Sequence, residues 1–279
     1  MSRFAVLAPV WAWLCVLLAA PLGIVLAISV AESVDGVPPF ALGFSAAAFV
    51  AILTDDLYRD ALLLSLRVAA ISTASCLLLG YPVALAIARA PERWRDPLLL
   101  GLMVPFWTGF LMRINAWIGL LADDGWLAAA LSWFAGGPVR LLYTDTALYL
   151  GMVYTYLPFM VLPLYASLSR LDPALRDAAS DLGAPPWLGF LRVTLPLSVP
   201  GIVAGCVLVF VPAVGEYVVP ELLGGPGAQL VGRVLWAEFF TNRDWPVASA
   251  LAWMLLLLLL VIPAAIRAAF AGRNTAESE

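Results

Sequence analysis

Two charged residues stand within apolar stretches of the sequence, and they are the first candidates for chemistry. Arg113 and Glu216 each interrupt a run of apolar residues, and a charge in such surroundings is costly and tends to be functional. Tyr217 follows Glu216 directly, and Glu221 lies close behind. A carboxylate beside an aromatic face suits a cation, because both groups attract positive charge. Glu216, Tyr217 and Glu221 therefore predict a cation-binding position.

Arg113 lies in a segment predicted to be a membrane-spanning helix, and Glu216, Tyr217 and Glu221 lie at the outer end of another. Of the 279 residues, 63% are hydrophobic and only 12% are charged, which is far outside the range of soluble domains. A helix needs about 20 apolar residues to cross a bilayer. Six segments qualify, at roughly 5–31, 61–89, 96–121, 144–167, 194–215 and 247–270. The sequence therefore predicts an all-α membrane protein with six transmembrane helices in a single domain, residues 1–279.

Further polar and aromatic side chains extend the candidate pathway within these segments: Asn115, Trp107, Trp117, Tyr154 and Tyr156. Tryptophan and tyrosine also form belts at membrane interfaces, so either role is open for each ring. Arg113 argues against a cavity that suits cations alone, unless it pairs with an acidic residue. The sign of the bound charge is therefore open from the residues alone.

Prolines are predicted to interrupt several of the membrane segments: Pro82, Pro105, Pro158, Pro163 and Pro212. Broken helices in a membrane are tolerated where protein or a cavity satisfies the freed backbone groups. Transporters place solute sites at such breaks. For any one proline, a simple kink in an unbroken helix is the favoured alternative. Outside the membrane, apolar residues at helical spacing predict a surface helix from Gln229 to Phe240.

The absence of two residue types excludes several kinds of enzyme. All 15 basic residues are arginine, with no lysine and no histidine. A phosphate-binding Walker loop needs its lysine, a Ser-His or Cys-His nucleophile needs histidine, and so does a histidine metal site. We therefore expect no catalytic residue, no metal site and no cofactor in this chain.

The distribution of arginines predicts the orientation in the membrane. Arginines are concentrated in the loops on the side that carries both termini: Arg3, Arg89, Arg93, Arg95, Arg170, Arg176, Arg192, Arg267 and Arg273. Acidic residues crowd the opposite loops, for example at Asp55, Asp123 and Asp145. Because cytoplasmic loops carry the excess of positive charge, we expect both termini to be cytoplasmic.

The loop at about 170–193, also on that side, has the signals of two short helices. Asp172-Pro173 is typical of a helix start. Gly183 is placed to end the helix, because glycine adopts a left-handed turn without steric cost. Pro185-Pro186 then starts a second helix, Trp187 to Arg192, and Leu195-Pro196 opens the fifth membrane helix. An ordinary interfacial loop would share any one of these features.

The complete spacing in this loop resembles the cytoplasmic signature of ABC-importer permeases. The family form is E-A-A, three residues, Gly, nine residues and I-x-L-P. This sequence has Asp177 in place of Glu and Val193 in place of Ile. Five other stretches resemble spermidine/putrescine-type permeases, of the kind that is the first of a two-permease pair: Gly80–Pro82, Pro105–Trp107, Arg113–Ile118, Tyr154–Phe159 and Gly215–Pro226.

The resemblance implies a type I ABC-importer permease fold in the bacterial inner membrane. Its implied partners are an ABC ATPase dimer, which carries ATP and Mg, a second permease, and an extracytoplasmic solute-binding protein. The implied ATPase-coupling residues are Asp177, Ala178, Ala179, Gly183, Val193, Leu195 and Pro196. The implied solute is a polyamine such as spermidine or putrescine. Thiamine, ferric ion or another small organic ion are alternatives, and a stand-alone secondary transporter is less favoured because we find no internal repeat.

Overall fold

The computed structural model describes the backbone of residues 3–276 and most side chains in that range, the exceptions being those of residues 3–8, 10, 135, 176 and 262–276. The side chains of Arg3, Arg176, Arg267 and Arg273, which contribute to the predicted orientation, therefore lie outside the described residues. The chain divides into two compact units. One comprises Met1–Leu62 with Gly232–Glu279, and the other is Leu63–Val231.

The chain is mostly helical, at 77% of residues, which confirms the predicted all-α class. The α-helices are α1 (Arg3–Ser29), α2 (Ala47–Thr54), α3 (Asp56–Arg89), α4 (Glu92–Met103), α5 (Phe110–Leu121), α6 (Trp126–Ala135), α7 (Asp145–Leu168), α8 (Ala174–Asp181), α9 (Pro186–Gly189), α10 (Leu195–Leu197), α11 (Val199–Val214), α12 (Val218–Leu223), α13 (Val231–Trp236) and α14 (Trp245–Ala276). A 3-10 helix covers Val104–Trp107, and π-helical turns cover Phe190–Thr194 and Ala237–Thr241. A small antiparallel hairpin pairs β1 (Glu32–Ser33) with β2 (Phe40–Ala41).

Three helices of the described chain are long and apolar enough to cross a membrane: Trp11–Ser29, Asp56–Arg89 and Asp145–Leu168. Two bent pairs meet the same criterion when each is taken as one span: Glu92–Trp107 with Phe110–Phe134, bent by 88°, and Pro186–Leu197 with Val199–Val214, bent by 65°. In the last helix, only Trp245–Val261 falls within the residues with described side chains, and this part is too short to meet the criterion by itself. The described residues therefore contain three spans, or up to five with the bent pairs.

The predicted third segment, 96–121, is not one helix. The 3-10 helix with Pro105 in its first turn ends at Trp107, and Thr108 and Gly109 are extended, with ψ of 144° and 145°. The Thr108 hydroxyl donates to the Pro105 carbonyl at 2.7 Å, which satisfies one backbone group at the break. The prediction that prolines interrupt the segments holds at Pro105. The other four prolines lie inside continuous helices, which agrees with the alternative of a proline within an unbroken helix.

Two helices of the second unit, α7 and α11, approach each other closely at two glycines of α11. A Cβ atom on Gly201 would lie 2.5 Å from the Ser167 Cβ and 2.8 Å from the Pro163 carbonyl oxygen. One turn along α11, a Cβ on Gly205 would lie 2.7 Å from the Met160 sulfur. Small residues let helix backbones pack closely in membranes, so these glycines set the spacing between α7 and α11.

We expect Gly201→Ala to destabilise the protein by about 1–3 kcal/mol, the typical cost of overpacking. The contact with a backbone carbonyl gives little room to relax. The measurement is the thermal unfolding midpoint of the purified chain in detergent or lipid. Gly119→Ala is the matched control, because a Cβ there meets nothing within 4 Å and alanine favours the helix by up to about 1 kcal/mol. Equal midpoints for the two variants would contradict the prediction.

Candidate functional site

The first half of the segment between α7 and α11 has the predicted cap residues at both ends of α8. At the start, the Ala174 amide donates to Asp172 Oδ1 at 2.9 Å. At the end, Gly183 has a φ of +76°, and the amides of Gly183 and Ala184 donate to the carbonyls of Ser180 and Ala179 at 2.9 and 3.0 Å. This pair of bonds is the Schellman arrangement that ends a helix at a left-handed glycine. The prediction that Gly183 ends this helix in a left-handed turn is confirmed.

The second half differs from its prediction. The expected helix Trp187 to Arg192 begins one residue earlier as α9, and it becomes a π-helical turn at Phe190–Thr194. Leu195-Pro196 lies in the three-residue α10, which is bent by 65° from α11. The fifth segment thus becomes straight only from Val199. Ser198 lies at this bend, where its hydroxyl is 2.9 Å from the Leu195 carbonyl and 2.8 Å from the Tyr81 hydroxyl.

The motif residues of this segment, which we call the coupling segment (residues 172–197), divide by exposure. Asp177, Ala178, Gly183 and Pro196 are exposed, whereas Ala179, Val193 and Leu195 are half-buried. Ala179 faces inward, since a Cβ on Gly189 would lie 3.9 Å from its methyl group. Asp177 and Ala178 therefore form the outward surface of α8, while Ala179 packs α8 against α9.

Glu216 is held by three hydrogen bonds near the end of α11. Its Oε2 accepts from the hydroxyl of Tyr156, a side chain that is only 6% exposed. Its Oε1 accepts from the amides of Val218 and Val219 at 3.0 and 3.5 Å, at the start of α12. A carboxylate has about four acceptor positions. One position thus remains for a further donor.

Successive ring contacts connect Glu216 to Arg113. We call Tyr156, Phe159 and Phe106 the aromatic row: the Tyr156 and Phe159 centroids are 6.3 Å apart, and those of Phe159 and Phe106 are 5.5 Å apart. The Arg113 guanidinium carbon lies 4.4 Å from the Phe106 centroid and 5.7 Å from that of Phe110. The aromatic row therefore has a carboxylate at one end and a cation at the other.

Arg113 has aromatic partners, and two of its nitrogens are buried without hydrogen bonds. Within the described part of the chain, Nε and Nη1 have no hydrogen-bond partner. The ring face of Phe106 stabilises the charge, but it leaves those donors unsatisfied, which is costly for buried polar groups. Arg113 is thus equipped to hold an anionic or carbonyl oxygen.

The remaining predicted pathway residues are not members of the aromatic row. Trp117 and Tyr154 form an edge-to-face pair at 5.3 Å, and both are half-buried. Trp107 is 78% exposed, and Asn115 is exposed. Tyr217 and Glu221 are both half-buried, and both are close to Glu216 in sequence.

Sequence reasoning missed two groups of residues. Phe106 and Phe159 complete the aromatic row. Both lie in stretches that resemble the permeases, but neither was predicted to be a pathway residue. In the first unit, the buried carboxylate of Glu238 accepts from the Tyr58 hydroxyl and from Asn242 Nδ2, each at 3.0 Å. Glu238 lies where the sequence predicts a surface helix. Only its position on the helical stripe of buried residues, between Val234 and Phe239, signals its burial.

The fold is that of an ABC-importer permease. A bacterial ABC transporter involved in the import of the acidic polysaccharide alginate superposes with a TM-score of 0.71, covering 93% of this chain and 91% of that one at 18% identity. The same kind of transporter in complex with a periplasmic protein bound to an alginate pentasaccharide superposes with a TM-score of 0.72. At this identity the likeness shows the fold alone.

Residues 77–273 match the family described as the binding-protein-dependent transport system inner membrane component, and the chain belongs to that family. The spermidine/putrescine transport system permease protein PotB of Salmonella typhimurium is 46% identical over 200 residues, which cover 71% of this chain and 70% of that protein. PotB of Escherichia coli is 45% identical over 200 residues, with 71% and 73% covered. The molybdenum transport system permease protein ModB of Mycobacterium bovis is 33% identical over 231 residues, with 81% and 83% covered.

Proposed function

We propose that this chain forms one half of the translocation pathway of an ATP-driven importer for a polyamine such as spermidine or putrescine. The observation that carries the solute assignment is the placement of Glu216, whose carboxylate has a remaining acceptor position at one end of the aromatic row. An ammonium group would occupy that position, and methylene groups would stack on the rings. The names of the relatives that are 46% and 45% identical support the same solute class.

The partners in this proposal are an ABC ATPase dimer, a second permease and an extracytoplasmic solute-binding protein. ATP and Mg bind to the ATPase, and this chain supplies no catalytic residue. Asp177 and Ala178, exposed on α8, are the surface that docks on the ATPase. ATP binding drives transport because it favours one of two permease conformations, so its binding energy shifts the equilibrium between them.

The proposed topology has six spans in one permease domain, residues 1–279, with both termini in the cytoplasm. The two bent pairs then each count as one span, and α14 supplies the sixth. This arrangement puts the coupling segment on the cytoplasmic side, which agrees with Arg192 within it and Arg170 just before it.

A second solute class has support from one residue. Arg113 has two buried donors without partners in the described chain, which favours an oxyanion, and ModB shows that a molybdenum permease is among the relatives. The lower identity of ModB and the single arginine make this the weaker candidate.

The test is the ATPase rate of the complete importer in lipid, with the binding protein loaded in turn with spermidine, putrescine, thiamine, molybdate or no solute. We expect stimulation by the polyamines alone. Stimulation by molybdate or thiamine alone would support the importer function and would contradict the assignment of a polyamine as the solute. Solute uptake that persists without the ATPase would instead favour a secondary transporter.

A further inference from the structure

A cavity with two arginines in its lining lies beside the coupling segment, within the second unit. Its volume is about 400 Å³, which is in the range of about 300–1,000 Å³ found for small-molecule sites. It forms where α3 ends at Arg89 and α7 ends at Leu168, and Leu197 of α10 also lines it. Arg95 from α4 also lines it. We call this the two-arginine cavity.

Both arginines have donors to offer. Arg95 Nε donates to the Ala90 carbonyl at 2.9 Å, and within the described chain its two terminal nitrogens make no other hydrogen bond or ion pair. Arg89, the last residue of α3, is exposed, and it makes no side-chain hydrogen bond or ion pair with the residues that the structure describes. One carboxylate, that of Asp172, also lines the cavity, but its Oδ1 accepts from the Ala174 amide. The charged side chains of the lining thus carry a net positive charge.

Most of the remaining lining residues are apolar, the exceptions being Ser169 and Thr194. Leu85 and Leu168 come from the ends of two membrane helices. Leu171 lies in the turn just before the coupling segment, and Leu197 lies at the end of that segment. A free phosphate ion would gain nothing from leucine side chains. A molecule with a phosphate group and hydrocarbon chains would use both parts of the cavity.

We propose that the two-arginine cavity binds a phosphate ester, and that its occupant is the headgroup of an anionic phospholipid. Guanidinium groups match phosphate oxygens with paired hydrogen bonds. Basic pockets between membrane helices at the membrane surface suit anionic headgroups. A lipid bound here would contact α3, α4, α7 and α10 together, at the base of the coupling segment.

The experiment titrates phosphatidylglycerol, with phosphatidylcholine as the neutral comparison, into the purified complete importer and measures retained lipid by native mass spectrometry. We expect one phosphatidylglycerol to be retained preferentially over phosphatidylcholine. Arg89→Gln with Arg95→Gln should weaken retention about 25-fold, about fivefold for each arginine near an anionic lipid. Arg89→Lys with Arg95→Lys keeps the charge and loses the paired geometry, so its affinity should be intermediate.

Arg93→Gln is the matched control, because Arg93 is an exposed arginine of α4 outside the cavity lining. Its retention of phosphatidylglycerol should equal that of the unmodified chain. An equal loss in Arg93→Gln would show diffuse surface charge and overturn the proposal. So would unchanged retention in both double variants, or an assembled importer that retains no phosphatidylglycerol because a partner covers the cavity.

A last arm distinguishes the source of the phosphate. An excess of inorganic phosphate should not displace the retained lipid. Displacement of the lipid by inorganic phosphate would show that the cavity binds anions but would assign it to soluble phosphate esters, which would overturn the lipid as its occupant. None of these readouts uses the transported solute, so their failure would leave the proposed importer function standing.

Discussion

Replacing Ala178 with tryptophan is expected to abolish solute-stimulated ATP hydrolysis by the assembled importer. Ala178 is exposed on α8, next to the exposed Asp177, so its methyl group lets another protein approach the helix backbone. An indole there would hold the ATPase away. Disruption at the centre of an interface costs about 2 kcal/mol or more, which corresponds to a loss of coupled activity of about 30-fold. The measurement is the ATPase rate with and without loaded binding protein.

The choice of Ala178 rather than Ala179 makes this a test of docking. Ala179 packs toward Gly189, so a large side chain there would disturb the coupling segment itself. Ala130→Trp in α6 is the matched control, because Ala130 is also an exposed helical alanine and lies far along the chain from the coupling segment. It should leave stimulation unchanged. Normal stimulation in Ala178→Trp, with the chain present at its usual level, would contradict the docking assignment.

The coupling segment was predictable in its first half because its signals are local. Asp172 caps the adjacent α8, and Gly183 is the left-handed residue that ends it. Both roles depend on the residue type and its immediate neighbours. The π-helical turn at Phe190–Thr194 has no such local signal, and the predicted helix was therefore too regular there.

The break in the third segment shows the limit of hydropathy and of proline as predictors. Five prolines gave equal signals, yet four of them lie within continuous helices. Pro105 differs because Thr108 and Gly109 follow it, and both are extended. Hydropathy averages over these residues and counts one segment.

The aromatic row was out of reach of sequence reasoning for a different reason. Tyr156 and Glu216 are 60 positions apart, and Phe106 and Phe159 are also distant in sequence. Only the packing of α7 beside the third segment and the end of α11 brings them together. The sequence identified Glu216 and Arg113 as costly charges, but it did not predict that rings connect them.

Glu216→Gln is expected to lower polyamine uptake by about 10- to 100-fold, the equivalent of the roughly 1.5–3 kcal/mol of a hydrogen bond to a charged group. The glutamine oxygen still accepts from the Val218 amide, so the start of α12 should stay in place. The amide nitrogen takes the place of Oε2 and donates to the Tyr156 hydroxyl oxygen instead of accepting from that hydroxyl, and the negative charge opposite an ammonium group is lost. The measurement is the initial rate of spermidine uptake, with the amount of assembled complex as the reference.

Two further variants separate solute binding from structural support by Glu216. Tyr156→Phe removes one neutral donor and leaves the charge, so its uptake should fall by less than about tenfold. Glu216→Ala removes both the charge and the acceptors for Val218 and Val219, so it should lose complex assembly as well as uptake. If Glu216→Gln transports normally while Glu216→Ala fails, the carboxylate only supports α12. Because glutamine keeps the shape and an acceptor, a large loss in Glu216→Gln with full assembly would be due to the missing charge, which is what an ammonium group requires.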